Sequence, residues 1–118
     1  MTRHRIIIDT DLGIDDAHAV LLALKAEALQ IEGFTTVFGN AQVQYCTRNL
    51  LYFLEMVDRP DLPVRQGRSA PLFKNRWDPE NSQRVHGPQG LGELVDVKAG
   101  LGASPGNAIQ WLVDTVLE

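Results

Sequence analysis

The sequence predicts an α/β fold, an open and mostly parallel sheet with helical crossovers around a Rossmann-like core. Three observations carry that prediction. Short β-branched runs alternate with longer segments whose apolar residues recur at helical spacing. The joints between them hold Gly, Asn, Asp and Pro. The first apolar run ends in a cluster of aspartates, at the strand end where open α/β sheets place their ligands.

Residues 5–10 read as a buried strand, since Ile6-Ile7-Ile8 is short, β-branched and followed by polar residues. Gly13 supplies a turn. Asp15 or Asp16 can cap a helix running to about Leu29, because carboxylates suit the free N–H groups of a helix start. That helix is apolar nearly all round (Ala17, Val20, Leu21, Leu22, Leu24), which predicts cover on most sides. A second strand is expected over Ile31–Phe38, closing on Gly39-Asn40. Val43, Cys46, Leu50, Leu54 and Val57 then recur at helical spacing, so a helix is expected over Ala41–Val57, stopped by Asp58-Arg59-Pro60-Asp61. Leu62–Arg65 reads as a short third strand.

Beyond it the pattern lapses. Residues 67–106 hold seven of the ten glycines and four of the six prolines, with no convincing periodic element. A stretch this long in a compact domain is expected to be a functional loop, here one at the active site, or a locally disordered segment. Arg65, Arg68, Lys74, Arg76 and Arg84 make it mildly basic, as a solvated surface would be, and Phe73 and Trp77 can serve as lid contacts or as anchors. Ser104-Pro105 then opens a last helix, with Ser as cap, Pro at the first helical position, and Ala108, Ile109, Leu112, Val113 and Val116 on its apolar face. An alternating fold calls for another strand after Glu118. Residues 1–118 therefore read as the N-terminal part of a single domain.

Composition narrows the function classes. The net charge of −4 lacks the basic footprint of a nucleic-acid module. No apolar run reaches the roughly 18 residues of a membrane span, and Ile6–Ile8 is too short for a signal-peptide core. A lone cysteine, Cys46, forms no internal disulfide and fits a reducing cytoplasm. A soluble cytoplasmic protein is expected.

The chemistry lies in Asp9-Thr10-Asp11-Leu12-Gly13-Ile14-Asp15-Asp16. Asp9 and Asp11 share a side if the strand persists through both, and Asp15 and Asp16 follow at a helix start. The four carboxylates are therefore expected to converge on one crevice; like charges gathered this closely repel, and a divalent cation offsets the repulsion. Oxygen-rich sites of this kind suit Ca²⁺ or Mg²⁺. One Asp at a helix start is commonplace; four at this spacing are not. A calcium-binding helix-loop-helix is excluded, because counting from Asp9 puts Ile14 where its glycine belongs and Val20 where its glutamate belongs. Asn40 after Gly39 is by itself an ordinary turn pair, and His86 in a Gly-rich loop an ordinary exposed histidine.

The run Asp9–Ala17 resembles the N-terminal signature of the inosine-uridine-preferring nucleoside hydrolases, calcium-dependent enzymes that cleave the N-glycosidic bond of ribonucleosides. The likeness continues through Thr35-Thr36-Val37-Phe38-Gly39-Asn40, Thr47-Arg48-Asn49 and His86-Gly87-Pro88-Gln89-Gly90-Leu91-Gly92, in consistent order. The resemblance implies Asp11 as a calcium ligand and the general base for the attacking water. It makes Asp16 a second calcium ligand, Asp15 and Asn40 ribose contacts, Asp9 a supporting residue and His86 a group near the leaving base. It also implies a homo-oligomer, dimer or tetramer, for the full-length protein. Leu12 stands where the family usually has proline, and His18 where it usually has an apolar residue. Family members are more than twice as long, so the remaining ligands fall outside this chain.

Two alternatives stay open at this level. A haloacid-dehalogenase-like, Mg²⁺-dependent phosphatase also places Asp-x-Asp after its first strand, but wants Thr or Val where this chain has Gly13, and leaves the Asp15-Asp16 pair unused. A truncated, non-catalytic fragment would bind Ca²⁺ poorly through half a metal shell.

Overall fold

The computed structural model describes residues 2–73 and 77–118; Lys74 and Arg76 of the basic loop lie outside the described residues. Strands β1 (His4–Thr10), β2 (Leu29–Thr36) and β3 (Val64–Gln66) alternate with helices α1 (Ile14–Lys25) and α2 (Val43–Met56). Helices α3 (Pro79–His86) and α4 (Ala108–Leu117) follow. The sheet has the order β1-β2-β3 and both pairs are parallel, as the alternation predicts. The β1–β2 register slips between Ile6 and Ile7, which pair with Ile31 and Gly33. The skipped residue, Glu32, reaches Arg5 at 2.9 Å.

The buried core joins Leu12, Val20, Phe34, Leu50, Leu54, Leu62 and Val64. Helix α2 supplies most of its helical share, because Val43, Cys46, Leu50 and Leu54 fall on one face three or four residues apart. Thr47 donates its hydroxyl to the Val43 carbonyl at 2.8 Å, so the Thr36 hydroxyl donates to Thr47 at 2.7 Å. That buried pair fastens the end of β2 to α2, and with it the chain that leads to the site.

Four sequence expectations need correction. Helix α1 stops at Lys25, because Leu29 is already paired with His4 in the sheet. Its apolar surround is not covered on most sides: among its residues only Val20 is buried, and Leu22 is 74% exposed. Residues 67–106 contain a helix, α3, capped by the Asp78 carboxylate, which accepts from the Glu80 and Asn81 amides, with Pro79 opening the first turn. The last helix is capped by Asn107 rather than Ser104. The Ser104 amide donates to the Val64 carbonyl at 2.7 Å, which holds Ser104-Pro105 against the third strand as the chain passes.

Candidate functional site

Strand β1 ends at Thr10, and the chain turns through Asp11-Leu12-Gly13 into α1. Leu12 is fully buried and nails that turn to the core. Gly13, rather than Asp15 or Asp16, is the cap of α1; it has no side chain, so the reciprocal bond comes from Asp16 alone, whose Oδ2 accepts from the Gly13 amide at 3.0 Å. The same carboxylate accepts from the Thr10 hydroxyl through Oδ1, 3.0 Å, and from Asn40 Nδ2 through Oδ2, 2.8 Å. Asp16 is thus held by three donors from three segments.

Asn40 ties the two key carboxylates together. Its backbone amide donates to Asp11 Oδ2 at 2.8 Å while its side chain donates to Asp16. Gly39 is required beside it, because a Cβ there would overlap Asp11 Oδ2. Gly13 is equally constrained: a Cβ would lie 2.5 Å from both Asn40 Nδ2 and His86 Nδ1. Behind Gly39, Trp77 donates its indole N–H to the Gly39 carbonyl at 2.7 Å and meets Phe38 edge-on at 5.2 Å. Trp77 is therefore an anchor, whereas Phe73 is 87% exposed.

His86, the last residue of α3, closes one side. Its Nδ1 accepts from the Ile14 amide at 3.4 Å, which assigns the ring proton of the neutral imidazole to Nε2. Asp15 lies 3.8 Å from the same nitrogen, with a side chain 83% exposed. Burial pushes the Asp11 carboxyl above its ordinary value; the Asn40 amide opposes that shift and the neighbouring Asp16 charge adds to it. A half-buried carboxylate with raised basicity is the kind of group that takes a proton from water.

The four aspartates expected in one crevice divide. Asp11 and Asp16 share it through Asn40, and Asp15 stands at its exposed rim. Asp9 does not join them, because β1 ends before Asp11 and the strand alternation no longer applies. Asp9 accepts from the Thr35 hydroxyl at 2.6 Å and faces a neighbouring cleft of about 270 Å³ between Thr36, Phe38, Leu72, Ile109 and Leu112. Thr10 and Thr35 were not foreseen as site residues; a threonine between two aspartates at a strand end is the signal for the first.

Asp11 and Asp16 each present a carboxylate, the hard oxygen donor that Ca²⁺ takes, so the pair fits part of a calcium shell. It falls short of the usual six to eight or so oxygens, and among the described residues no group of three or more His, Cys, Asp or Glu is placed to hold a metal ion.

Residues 6–118 match the family described as inosine-uridine preferring nucleoside hydrolase. Uridine nucleosidase 1 of Arabidopsis thaliana is 47% identical over 90 residues, 76% of this chain and 26% of that relative. The pyrimidine-specific ribonucleoside hydrolase RihA of Salmonella enteritidis is 34% identical over 113 residues, 96% of this chain and 35% of the relative. A solved purine-preferring ribonucleoside hydrolase from Gardnerella vaginalis superimposes with a TM-score of 0.90 at 26% identity, over 98% of this chain and 37% of that one. The chain therefore spans about a quarter to a third of the length of these relatives. With its sheet, its acidic turn and nearly its whole length matched, the chain belongs to the inosine-uridine preferring nucleoside hydrolase family.

Proposed function

We propose that the full-length protein hydrolyses the N-glycosidic bond of ribonucleosides to ribose and free base, with Asp11 as the general base. The observation that supports this most is the Asn40 bridge, which fixes Asp11 and Asp16 in one crevice with His86 on its flank. Asp11 and Asp16 would hold a Ca²⁺ ion, together with ligands from outside this chain. When bound, the ion lowers the pKa of water and offsets the repulsion between the two carboxylates.

Breaking the bond to the base leaves positive charge on the ribosyl ring, and a pocket of carboxylates stabilises that oxocarbenium-like transition state. Asp11, its basicity raised by burial, accepts the proton of the attacking water. Asp15 at the rim accepts hydrogen bonds from the ribose hydroxyls, and Asn40 contacts the ribose as well as holding the two carboxylates. Asp9 supports the end of β1 through Thr35. The base departs as an anion or as a protonated species, and His86, with its N–H on Nε2, is the donor in this chain suited to meet it. Alone, the 118 residues supply two carboxylates of the shell and turn over no nucleoside.

Family membership sets aside the haloacid-dehalogenase reading. The same proposal takes the full-length protein to be a cytoplasmic homo-oligomer whose partner is a ribonucleoside rather than nucleic acid or membrane; among the described residues no helix is long and apolar enough to cross a bilayer. Ribose release from inosine and from uridine by the full-length protein, with Ca²⁺ and after chelation, is the test. Release that needs Ca²⁺ supports the proposal, and absence of release from both nucleosides contradicts it.

A further inference from the structure

Two motifs of the sequence, Thr47-Arg48-Asn49 and His86–Gly92, meet in the fold although they lie some forty residues apart. Asn49 is fully buried on α2, and its Nδ2 donates to the Gln89 carbonyl at 2.6 Å. A buried amide without that partner would be costly, so its burial depends on a docked loop. Arg48 Nη2 donates to Gln89 Oε1 at 2.6 Å. Asp96 holds the same side-chain amide: Oε1 also accepts from the Asp96 backbone amide at 2.7 Å, and Nε2 donates to Asp96 Oδ1 at 3.1 Å.

The same loop carries His86. The Gly92 amide donates back to the His86 carbonyl at 2.8 Å, and the Gly90 amide to the Gly87 carbonyl at 3.3 Å, with Gly87, Gly90 and Gly92 all at positive φ. Gly90 is pressed between Asn49 and the turn that bears Asp11: a Cβ there would lie 3.1 Å from Asn49 Nδ2 and 3.5 Å from the Leu12 carbonyl. Leu91 packs against the core. The backbone of His86 is thereby tied to α2 on one side, and its ring rests on the Gly13-Ile14 turn on the other, 15% exposed.

We propose that Arg48, Asn49 and Gln89 form a clamp that positions His86 at the acidic crevice, and that through it α2 sets the distance between the base-side group and the water-side carboxylates. Its catalytic consequence rests on the hydrolase reading; its geometry does not. The three are positioning residues, none of them placed on the reacting atoms.

Carbethoxylation of individual histidines by diethyl pyrocarbonate, read by mass spectrometry, tests the geometry. His4 and His18, both exposed, are internal references. His86 should react more slowly than either in the unaltered chain. Asn49→Ala and Gln89→Ala should raise its rate severalfold and leave His4 and His18 unchanged, while Arg48→Lys, which keeps a donor, stays near the starting rate. Should Asn49→Ala fail to fold, Gln89→Ala decides; an unchanged His86 rate in a folded Gln89→Ala chain overturns the clamp. In the full-length enzyme, both alanine variants should lose far more turnover on inosine or uridine than on p-nitrophenyl riboside, whose phenolate leaves without a proton. Equal losses on both substrates would reflect a smaller folded fraction and overturn the positioning role. If the unaltered enzyme cleaves neither substrate, the hydrolase reading fails while the modification rates still judge the clamp.

Discussion

Replacing Thr10 by valine removes one hydroxyl and little else. Thr10 is 5% exposed, and its side chain donates to Asp16 Oδ1 at 3.0 Å. Valine has the same shape and the same β-branching, so neither a cavity nor a loss of strand propensity follows. What is lost is one of three donors to a carboxylate, since the Gly13 amide and Asn40 Nδ2 stay in place. Hydrogen bonds to charged groups contribute about 1.5–3 kcal/mol. A midpoint figure of about 2 kcal/mol, divided by a urea slope of about 1–3 kcal/mol/M, moves the unfolding midpoint down by roughly 1 M. The assay is urea unfolding followed by circular dichroism, repeated in an Asp16→Asn background where the acceptor is no longer charged. There the same substitution should cost less, by about 1 kcal/mol, as expected for two groups in contact. An unchanged midpoint, or equal shifts in both backgrounds, would refute the idea that Thr10 orients Asp16.

Further outcomes follow from the same structure. Because burial raises the folded-state pKa of Asp11, folding favours its protonated form, so the metal-free chain loses stability as pH rises from the unfolded value through the raised one. Asp11→Asn should therefore raise the urea midpoint of the metal-free chain at neutral pH and flatten its pH dependence; a lower midpoint with the same pH profile would contradict this. Gly39→Ala should push Asp11 off its Asn40 amide and destabilise by about 1–3 kcal/mol, as overpacking does; denaturation alongside Gly102→Ala, at a site with open space, checks it. Leu50→Ala, at a fully buried core position, should cost about 2–5 kcal/mol in the same assay. Burial pushes the Cys46 thiol up to about 12, so the folded chain should resist Ellman's reagent at mildly alkaline pH and react at once in urea; prompt labelling of the folded chain would show the thiol is accessible.

The order of strands and helices as far as β3 was legible because each element carries a simple local pattern: the β-branched run Ile6–Ile8 for β1, and the helical spacing of Val43, Cys46, Leu50 and Leu54 for α2. Helix α3 was not, because Pro79–His86 buries none of its residues and so shows no apolar stripe. Its start was nonetheless written in Asp78-Pro79, a cap followed by a helix-opening proline, and that local signal outweighs the missing period. Ser104-Pro105 misled for the opposite reason. It carries the same local signal, but the Ser104 amide is taken by the Val64 carbonyl, and Asn107 caps instead. At the site, four residues that the motifs singled out, Asp11, Asp16, Asn40 and His86, meet around the Gly13 turn. The parting of Asp9 from Asp11 depends on where β1 ends, a matter of one residue that no pattern in the sequence specifies. The bonds from Thr10 and from Asn40 to Asp16 span turns and separate segments, and only the folded chain reveals them.

The most direct test of the central claim is ribose release from inosine and uridine by the full-length Asp11→Ala protein at saturating Ca²⁺. With Asp11 as the general base, turnover should fall by about 10²–10⁴-fold or more, while Asp9→Ala, whose side chain faces the neighbouring cleft, should lose much less. Near-normal release by Asp11→Ala would contradict the account and move the proton acceptor elsewhere.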